Sequence, residues 1–294
     1  MTEIISGTQL DHWRRCQRLY HYAHDLQLAP LEVPWPIAVG KAGHGMLATY
    51  YAGRQLGADH ATAEAQVREQ VGFEADILQR NPKVLGFALR SVGYYWASIG
   101  AGQESLSIVD VEMPVRQARD GWTYAATLDL LIRTAAGELE VWDHRFLYDP
   151  YTAAMARLDS QLPRYVTAAS AATGELIGAG VRNMVSTAPE KELAKANRGR
   201  VKRIRVDITP TRQVIVGMET DRTAHQILAW RQLPLEVRAG AAVRTVIPGE
   251  RYPACKTCPF FELCIADGWG EDTSTLRAEK FGPSDYGYEE VATG

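Results

Sequence analysis

The spacing of apolar and polar positions changes character twice along the chain. Residues 1–30 set Trp13, Leu19, Tyr20, Tyr22 and Leu26 around Cys16 at intervals that suit one face of a helix. Ser6 or Thr8 is placed to cap it. Pro30, Pro34 and Pro36 then break the pattern. A second apolar stripe, Met46, Leu47, Tyr50 and Tyr51, predicts a helix over residues 38–57. That helix is entered through Gly40, Gly43 and Gly45, with His44 at its start. Residues 61–103 read as two or more helices and end in the aromatic cluster Tyr94, Tyr95 and Trp96.

Period-two alternation then takes over. Residues 107–115, 122–133 and 138–146 read as strands, and Ala135, Ala136 and Gly137 turn the chain between the last two. Residues 151–173 return to helix, and 176–186 form a further strand. Residues 190–205 are polar and basic; 206–209 and 213–218 read as short strands, and 220–239 as a helix. The stretch after Cys264 is acidic, rich in Gly and Ser, and reads as a loose tail. No internal repeat is visible. Helices, a β-meander, then helix, strand and helix describe an α/β or α+β protein with one core domain and accessory helices.

Composition narrows this little. The 294 residues are 46% apolar and 23% charged, ordinary for a globular chain with one large core or two small ones. No run of 18 apolar residues marks a membrane span, and no signal-peptide core is visible, so a cytoplasmic protein is expected. A net charge of −3 argues against a strongly basic nucleic-acid coat while leaving room for a local basic groove.

The cysteines change the picture. There are four: Cys16 near the start, then Cys255, Cys258 and Cys264 in a C-x2-C-x5-C run. Four thiolates complete the shell of one [4Fe–4S] cluster or of one Zn²⁺, and spacing alone does not choose between them. Inert buried thiols or two disulfides are the bland alternatives. If one centre takes all four, it clamps both ends of the chain together.

Carboxylates on the meander are the second candidate chemistry. Asp129 and Asp143 interrupt apolar strands, and each lies about seven residues from the turn near Gly137. The strands should therefore bring them almost opposite each other, with Cβ atoms about 4.5–5.5 Å apart. Two carboxylates that close repel unless a cation lies between them, and Mg²⁺ and Mn²⁺ prefer such oxygens. Solvated strand charges are the plainer reading. His44 is an ordinary half-buried histidine or a neutral imidazole ligand, and Glu112 is a further acidic candidate on the preceding strand. Glu140, three residues from Asp143, falls on the opposite face.

Gln161 and Tyr165 share a helix face at i, i+4 spacing, with Pro163 between them marking a helix start or kink. Lys191, Lys195, Arg198, Arg200, Lys202, Arg203 and Arg205 form a basic run, read equally as a solvated segment or as one that follows a phosphate backbone. No Walker A loop, nucleophile elbow or dinucleotide fingerprint appears.

In this order, Cys16, His44, Asp129, Asp143-His144-Arg145, Gln161-x3-Tyr165 and Cys255, Cys258 and Cys264 resemble the PD-(D/E)XK nuclease superfamily. The likeness extends over residues 5–265, and its nearest branch is the RecB-like, iron–sulphur one. That branch includes CRISPR-adaptation exonucleases, AddB-type nuclease domains and related bacteriophage proteins. The resemblance implies a restriction-endonuclease-like α/β core, a central mixed sheet flanked by helices. It implies a single domain over 1–265, with a helical part at 40–103 and a core at 104–240. The cluster segment would combine 1–30 with 250–265, and 266–294 would be the tail.

The resemblance also implies a metal-dependent DNA exonuclease acting on single-stranded DNA or duplex ends. Mg²⁺ or Mn²⁺ would be held by His44, Asp129 and Asp143. Arg145, Gln161 and Tyr165 would serve catalysis, and Lys195, Arg198, Arg200, Lys202 and Arg203 would lie along the DNA. The four cysteines would carry a structural [4Fe–4S] cluster rather than zinc. Partners would be recombination, replication or CRISPR-adaptation proteins in a bacterial or phage-infected cytoplasm, with no membrane.

One position departs from the pattern. The family has lysine where this chain has Arg145, which stays protonated and cannot serve as a base. A catalytically weakened or non-cleaving DNA-binding protein on the same fold is therefore the second expectation.

Overall fold

The structure is a computed structural model that describes residues 2–76, 80–99, 107–150, 152–195, 199–243, 255 and 258–284. In chain order its elements are β1 (Glu3–Ser6), α1 (Gly7–Arg15), α2 (Gln17–Tyr20), a π-helical turn at His21–Asp25, β2 (Leu28–Pro30), α3 (Trp35–Gln55), α4 (His60–Asp76) and α5 (Pro82–Ser98). There follow β3 (Ser107–Ala118), β4 (Trp122–Arg133), β5 (Leu139–Leu147), α6 (Ala153–Leu158), α7 (Gln161–Thr173), β6 (Ala179–Ser186), α8 (Glu190–Lys195) and β7 (Val201–Asp207). The last are α9 (Pro210–Arg231), α10 (Leu235–Ala241), α11 (Phe261–Trp269), α12 (Ser274–Lys280) and β8 (Phe281–Pro283). They group into two compact units. The first takes Met1–Pro34, Arg116–Ala126 and Gly217–Gly294; the second takes Trp35–Val115 and Thr127–Val216.

In the first unit, Ser6 is the residue that caps α1. Its Oγ accepts the Gln9 N–H at 3.2 Å, and Gln9 Oε1 accepts the Ser6 N–H at 2.9 Å, a closed capping box. Cys16 then swings to an extended conformation and ends the helix. Strand β1 runs parallel to the first residues of β4, from Glu3 beside Trp122 to Ser6 beside Ala125, and β2 pairs antiparallel with β8.

The stretch after Cys264 differs from the loose tail expected there. It continues α11, forms α12 and closes on β8. The reason is apolar. Phe260, Leu263 and Phe281 join Leu19, Tyr22 and Ala23 in one buried cluster, and the Phe260 and Phe281 rings stack with centroids 5.3 Å apart. Within that stretch Phe281 and the half-buried Leu276 bind to this cluster and outweigh a polar composition.

The second unit holds a mixed sheet flanked by helices. Strands β4 and β5 are antiparallel, from Arg133 beside Leu139 to Leu130 beside Trp142. Gly137, at φ +85°, supplies the left-handed residue their turn needs. Strand β6 is parallel to β5, and β7 antiparallel to β6. Trp142, Phe146, Val181 and Val185 pack with Met46, Leu47, Tyr51, Leu85 and Trp96 from α3 and α5. Helix α7 lies on the other face, close enough that a Cβ on Gly180 would meet Leu162 at 2.7 Å.

Three local readings are corrected. Pro36 does not break the chain: it is the second residue of α3, where no helical N–H is needed. Residues 213–218 are helix within α9, not strand. The β-branched run Val214, Ile215 and Val216 suggested a strand, but Val214 and Ile215 are exposed, and Thr209 Oγ1 starts the helix by accepting the Arg212 N–H at 3.2 Å. The basic stretch is α8 followed by β7, which begins at Val201 because Ile204 and Val206 bury their side chains. Among the described residues no helix is long and apolar enough to cross a membrane.

Candidate active site

Where β4 and β5 part, four polar side chains of the second unit converge. The antiparallel register is recorded down to Leu130 and Trp142, so the next residue on each strand is Asp129 and Asp143. Asp129 turns its Oδ2 to accept the His144 N–H at 2.6 Å. The same oxygen lies 3.5 Å from His44 Nδ1 and 3.7 Å from His144 Nδ1.

His44 reaches Asp129 because α3 lies close against β5. A Cβ on Gly43 would fall 2.2 Å from the Phe146 ring, so only glycine allows that approach. The His44 ring meets the same phenylalanine edge-on. His44, Glu112 and Asp129 bring one ligand atom each within 4.8 Å of one another.

The electrostatics follow from this crowding. Burial lowers the His44 imidazole, partly offset by the Asp129 charge. Burial alone would raise Asp129, but the His44 and His144 imidazoles and the His144 N–H outweigh it and hold the acid below the usual carboxylate range. Glu112 goes the other way: loss of water and the Asp129 charge push it up to about 7. One imidazole nitrogen and two carboxylate oxygens are a donor set that Mg²⁺ or Mn²⁺ accepts, so the residues present fit a divalent cation.

Asp143 is occupied differently. Its Oδ2 accepts Arg145 Nε at 2.8 Å and a short contact from Arg182 Nη1, and its Oδ1 accepts Arg145 Nη2 at 3.1 Å. Arg182 is wholly buried. Its Nη2 donates to Asp159 at 2.6 Å and its Nη1 to Gln161 Oε1 at 3.3 Å. Gln161 in turn donates from Nε2 to Tyr165 Oη at 3.0 Å. Burial would lower the Arg145 guanidinium, but Asp143 and its neighbours raise it, so it stays charged. Beneath the site, His144 Nε2 lies 3.1 Å from Tyr95 Oη, which lies 2.8 Å from Tyr51 Oη.

Arg182 and Asp159 were not singled out from the sequence, and His144, Tyr51 and Tyr95 entered it only as motif or core positions. For Arg182 a signal existed: it stands in Ala179–Ser186, every residue of which is buried. A guanidinium in such a strand requires carboxylate partners. The others are ordinary residues whose roles come from contacts far along the chain.

The cysteines lie in the first unit, all four free of disulfides and half-buried. Cys16, Cys258 and Cys264 pack against the same apolar cluster. Cys258 donates its N–H to the Cys255 carbonyl at 3.0 Å. Burial pushes the Cys258 thiol up, and the charges of Cys16 and Cys264 push the same way. Arg18 Nη1 lies 3.3 Å from the Cys264 carbonyl and 3.9 Å from its Sγ. Cys16, Cys258 and Cys264 thus share one patch, with Cys255 tied to Cys258 by that backbone bond, and thiols are the donor type that a zinc or iron–sulphur centre takes.

The basic run is largely committed to local contacts. The Arg200 guanidinium lies over the Tyr94 ring at 4.9 Å and donates to the Ser186 carbonyl at 2.9 Å. Arg203 lies over Trp142 at 4.3 Å, and Arg205 pairs with Glu140 at 2.7 Å. Lys195 and Lys202 are exposed, and Arg198 lies outside the described residues.

No curated protein matches the chain. Among solved structures, the crystal structure of SSO0001 is similar over 90% of this chain and 86% of that one, at 13% identity and a TM-score of 0.41, too low to carry an argument. The family comparison is decisive: residues 4–265 match the model of the PD-(D/E)XK nuclease superfamily. Covering nearly the whole chain, that match makes this protein a member of the PD-(D/E)XK nuclease superfamily, whose members are in general metal-dependent nucleases.

Proposed function

We propose that this protein is a metal-dependent DNA exonuclease acting on single-stranded DNA or duplex ends. The observation that carries this reading is the approach of His44 Nδ1 to Asp129 Oδ2, 3.5 Å apart, beside the Asp143–Arg145 pair at the parting of β4 and β5. His44 and Asp129, with Asp143 by family pattern, would hold Mg²⁺ or Mn²⁺. When bound, the ion lowers the pKa of a coordinated water and offsets charge on the phosphate. Arg145 offers a guanidinium fork to a phosphate oxygen. Gln161 and Tyr165, already hydrogen-bonded to each other, orient the strand. His144 donates its N–H to Asp129 and holds that carboxylate still.

Cys16, Cys255, Cys258 and Cys264 would carry a structural [4Fe–4S] cluster rather than zinc, supported by the packing of three of them on one apolar patch. Lys195 and Lys202, both exposed, are the basic-run residues best placed to meet a DNA backbone. A second reading, a weakened or non-cleaving DNA-binding protein, is favoured by one observation: both Asp143 oxygens already accept from guanidinium groups.

The test is cleavage of end-labelled single- and double-stranded DNA by protein purified without oxygen, with Mn²⁺ or Mg²⁺, beside Asp129→Ala and Arg145→Lys. Loss of label with the wild type but not with Asp129→Ala supports the nuclease. Intact DNA with the wild type, cut only by Arg145→Lys, supports the second reading. Absorbance near 400 nm checks the cluster.

A further inference from the structure

Helix α5 turns one face away from the core of the second unit, and that face carries Lys83, Phe87, Arg90 and Tyr94 at helical spacing. Lys83, Arg90 and Tyr94 are exposed, and Phe87 is half-buried. Trp35, at the start of α3 and 43% exposed, meets the Phe87 ring edge-on with centroids 6.0 Å apart. The Arg90 guanidinium lies 5.7 Å from the same ring. One turn further on, Arg200 lies over Tyr94, which stays 42% exposed. Aromatic rings and cations thus alternate along one surface.

Packing within the chain does not account for this. An apolar stripe at helical spacing is ordinarily a core face, but the core face of α5 is the opposite one, where Leu85, Ala88, Val92 and Tyr95 are buried. The outer face also holds Gly86 and Gly93, and a Cβ on either would meet nothing within 4 Å. Glycine weakens a helix interior relative to alanine. Among the described residues no neighbour requires it here, and bare backbone suits a ligand that lies flat on the helix.

Charge points to the kind of ligand. The chain has 35 acidic residues and a net charge of −3, yet neither α3 nor α5 contains an acid. Glu190 reaches the stripe from outside: it accepts from Tyr94 Oη at 2.5 Å and lies 3.9 Å from Arg200. Lys83 and Arg90 keep the rest of the face positive. Open rings beside cations suit a strand whose bases and phosphates are both accessible. A duplex hides its base faces and offers phosphates alone.

We propose that the outer face of α5, with Trp35 from α3, is a docking track for single-stranded DNA. Bases stack on Trp35 and Tyr94, Phe87 seats the tryptophan, and phosphates meet Lys83 and Arg90. This deepens the nuclease reading above, from which it takes the ligand. Tyr95, the residue after Tyr94, bonds His144 on the buried side, so one helix serves the strand outside and the site within.

The experiment is binding of a labelled oligothymidine, and of a labelled blunt duplex, to the full-length protein by fluorescence anisotropy, with no divalent cation added. Wild type is compared with Trp35→Ala, Arg90→Ala and Gly93→Gln, with Trp269→Ala as an exposed tryptophan outside the track, and melting curves report the fold. Trp35→Ala should weaken oligothymidine at least about fivefold, the loss of one stacked base, and leave the duplex within about twofold. Arg90→Ala should reduce the slope of log affinity against log salt by about 0.7, one phosphate contact on a single strand. Gly93→Gln should keep or raise the melting temperature and still weaken oligothymidine. Should Trp35→Ala fail to fold, Gly93→Gln decides, since it fills open space. Oligothymidine binding by both within about twofold of wild type overturns the proposal, as does equal weakening of single strand and duplex. A wild-type dimer that Trp35→Ala dissociates, with oligothymidine binding unchanged, assigns the face to a second copy instead.

The two proposals fail separately. Oligothymidine held through Trp35 but left intact with Mn²⁺ keeps the track and removes the exonuclease. Cleavage with binding unchanged in these variants does the reverse.

Discussion

Asp25 in the first unit and Asp143 in the second are both carboxylates shut away from water, with side chains 3% and 2% exposed. Asp25 accepts from His21 Nδ1 at 2.8 Å, from the Trp230 indole at 2.8 Å and from one guanidinium, Arg238. Its donors come from three helical segments, and its charge has a single full cation as partner. Asp143 has two, Arg145 and Arg182. The second guanidinium passes on to Asp159 and Gln161. The lesson is that an equally buried acid serves two ends. A carboxylate with one cation and neutral donors ties helices together and is complete. One whose second cation is shared, Arg182 with Asp159, sits in a charge-balanced network in which the partly exposed Arg145 fork still offers donors to a phosphate.

That contrast is open to breakage. The largest effect is expected from Arg182→Met, which removes the wholly buried cation shared by the buried Asp143 and the half-buried Asp159. Urea unfolding should show a loss of about 3–5 kcal/mol. Asp25→Asn keeps the shape and part of the hydrogen bonding, so its loss should be smaller, about 2 kcal/mol. Equal losses would mean that the two acids are held alike.

Acid should separate the units next. His12 and His24, 3.0 Å apart in the first unit, are lowered by burial to about 4 and about 3. Both values lie below the 6.5 of an unfolded histidine. The unfolded chain therefore takes up protons first as pH falls. The stability these residues confer is complete above pH 6.5 and drains away as the pH falls toward 4 and then 3. Asp129, held below the usual carboxylate range, keeps its contribution until lower pH. Hydrogen exchange followed from pH 7 to 4 should show protection fall first around α1 and α2. Simultaneous loss around β4 and β5 would erase the distinction.

The smallest effect sharpens the picture of the second unit. Tyr95→Phe removes the hydroxyl between Tyr51 and His144, and thermal melting should report a loss of about 1 kcal/mol. No change would mean that His144 is held by its backbone bond to Asp129 alone.

Much of this architecture was legible in the pattern of side chains. The boundaries of β4 match the apolar run between Trp122 and Arg133, because a strand covered on both faces reads as a bounded run of apolar residues. The misread run at Val214–Val216 shows the limit: β-branched residues favour strands only where a neighbouring strand is there to pair with them. The tail was misread because composition averages away two apolar anchors, Leu276 and Phe281, that pack on the same cluster as Phe260 and Leu263.

The chain's own order of residues determined the superfamily likeness, the meander, the antiparallel arrangement that carries Asp129 and Asp143, and the four-cysteine set. Each rests on spacing, and spacing along a chain is local information. Only the tertiary structure decided what each carboxylate meets. Arg182 reaches Asp143 from 39 residues away, and Glu112 joins His44 across a different element. Hydrogen bonds and ion pairs act over a few ångströms in space and are blind to sequence distance. The division between the carboxylate clamped by arginines and the one left beside Asp129 therefore had to await the fold.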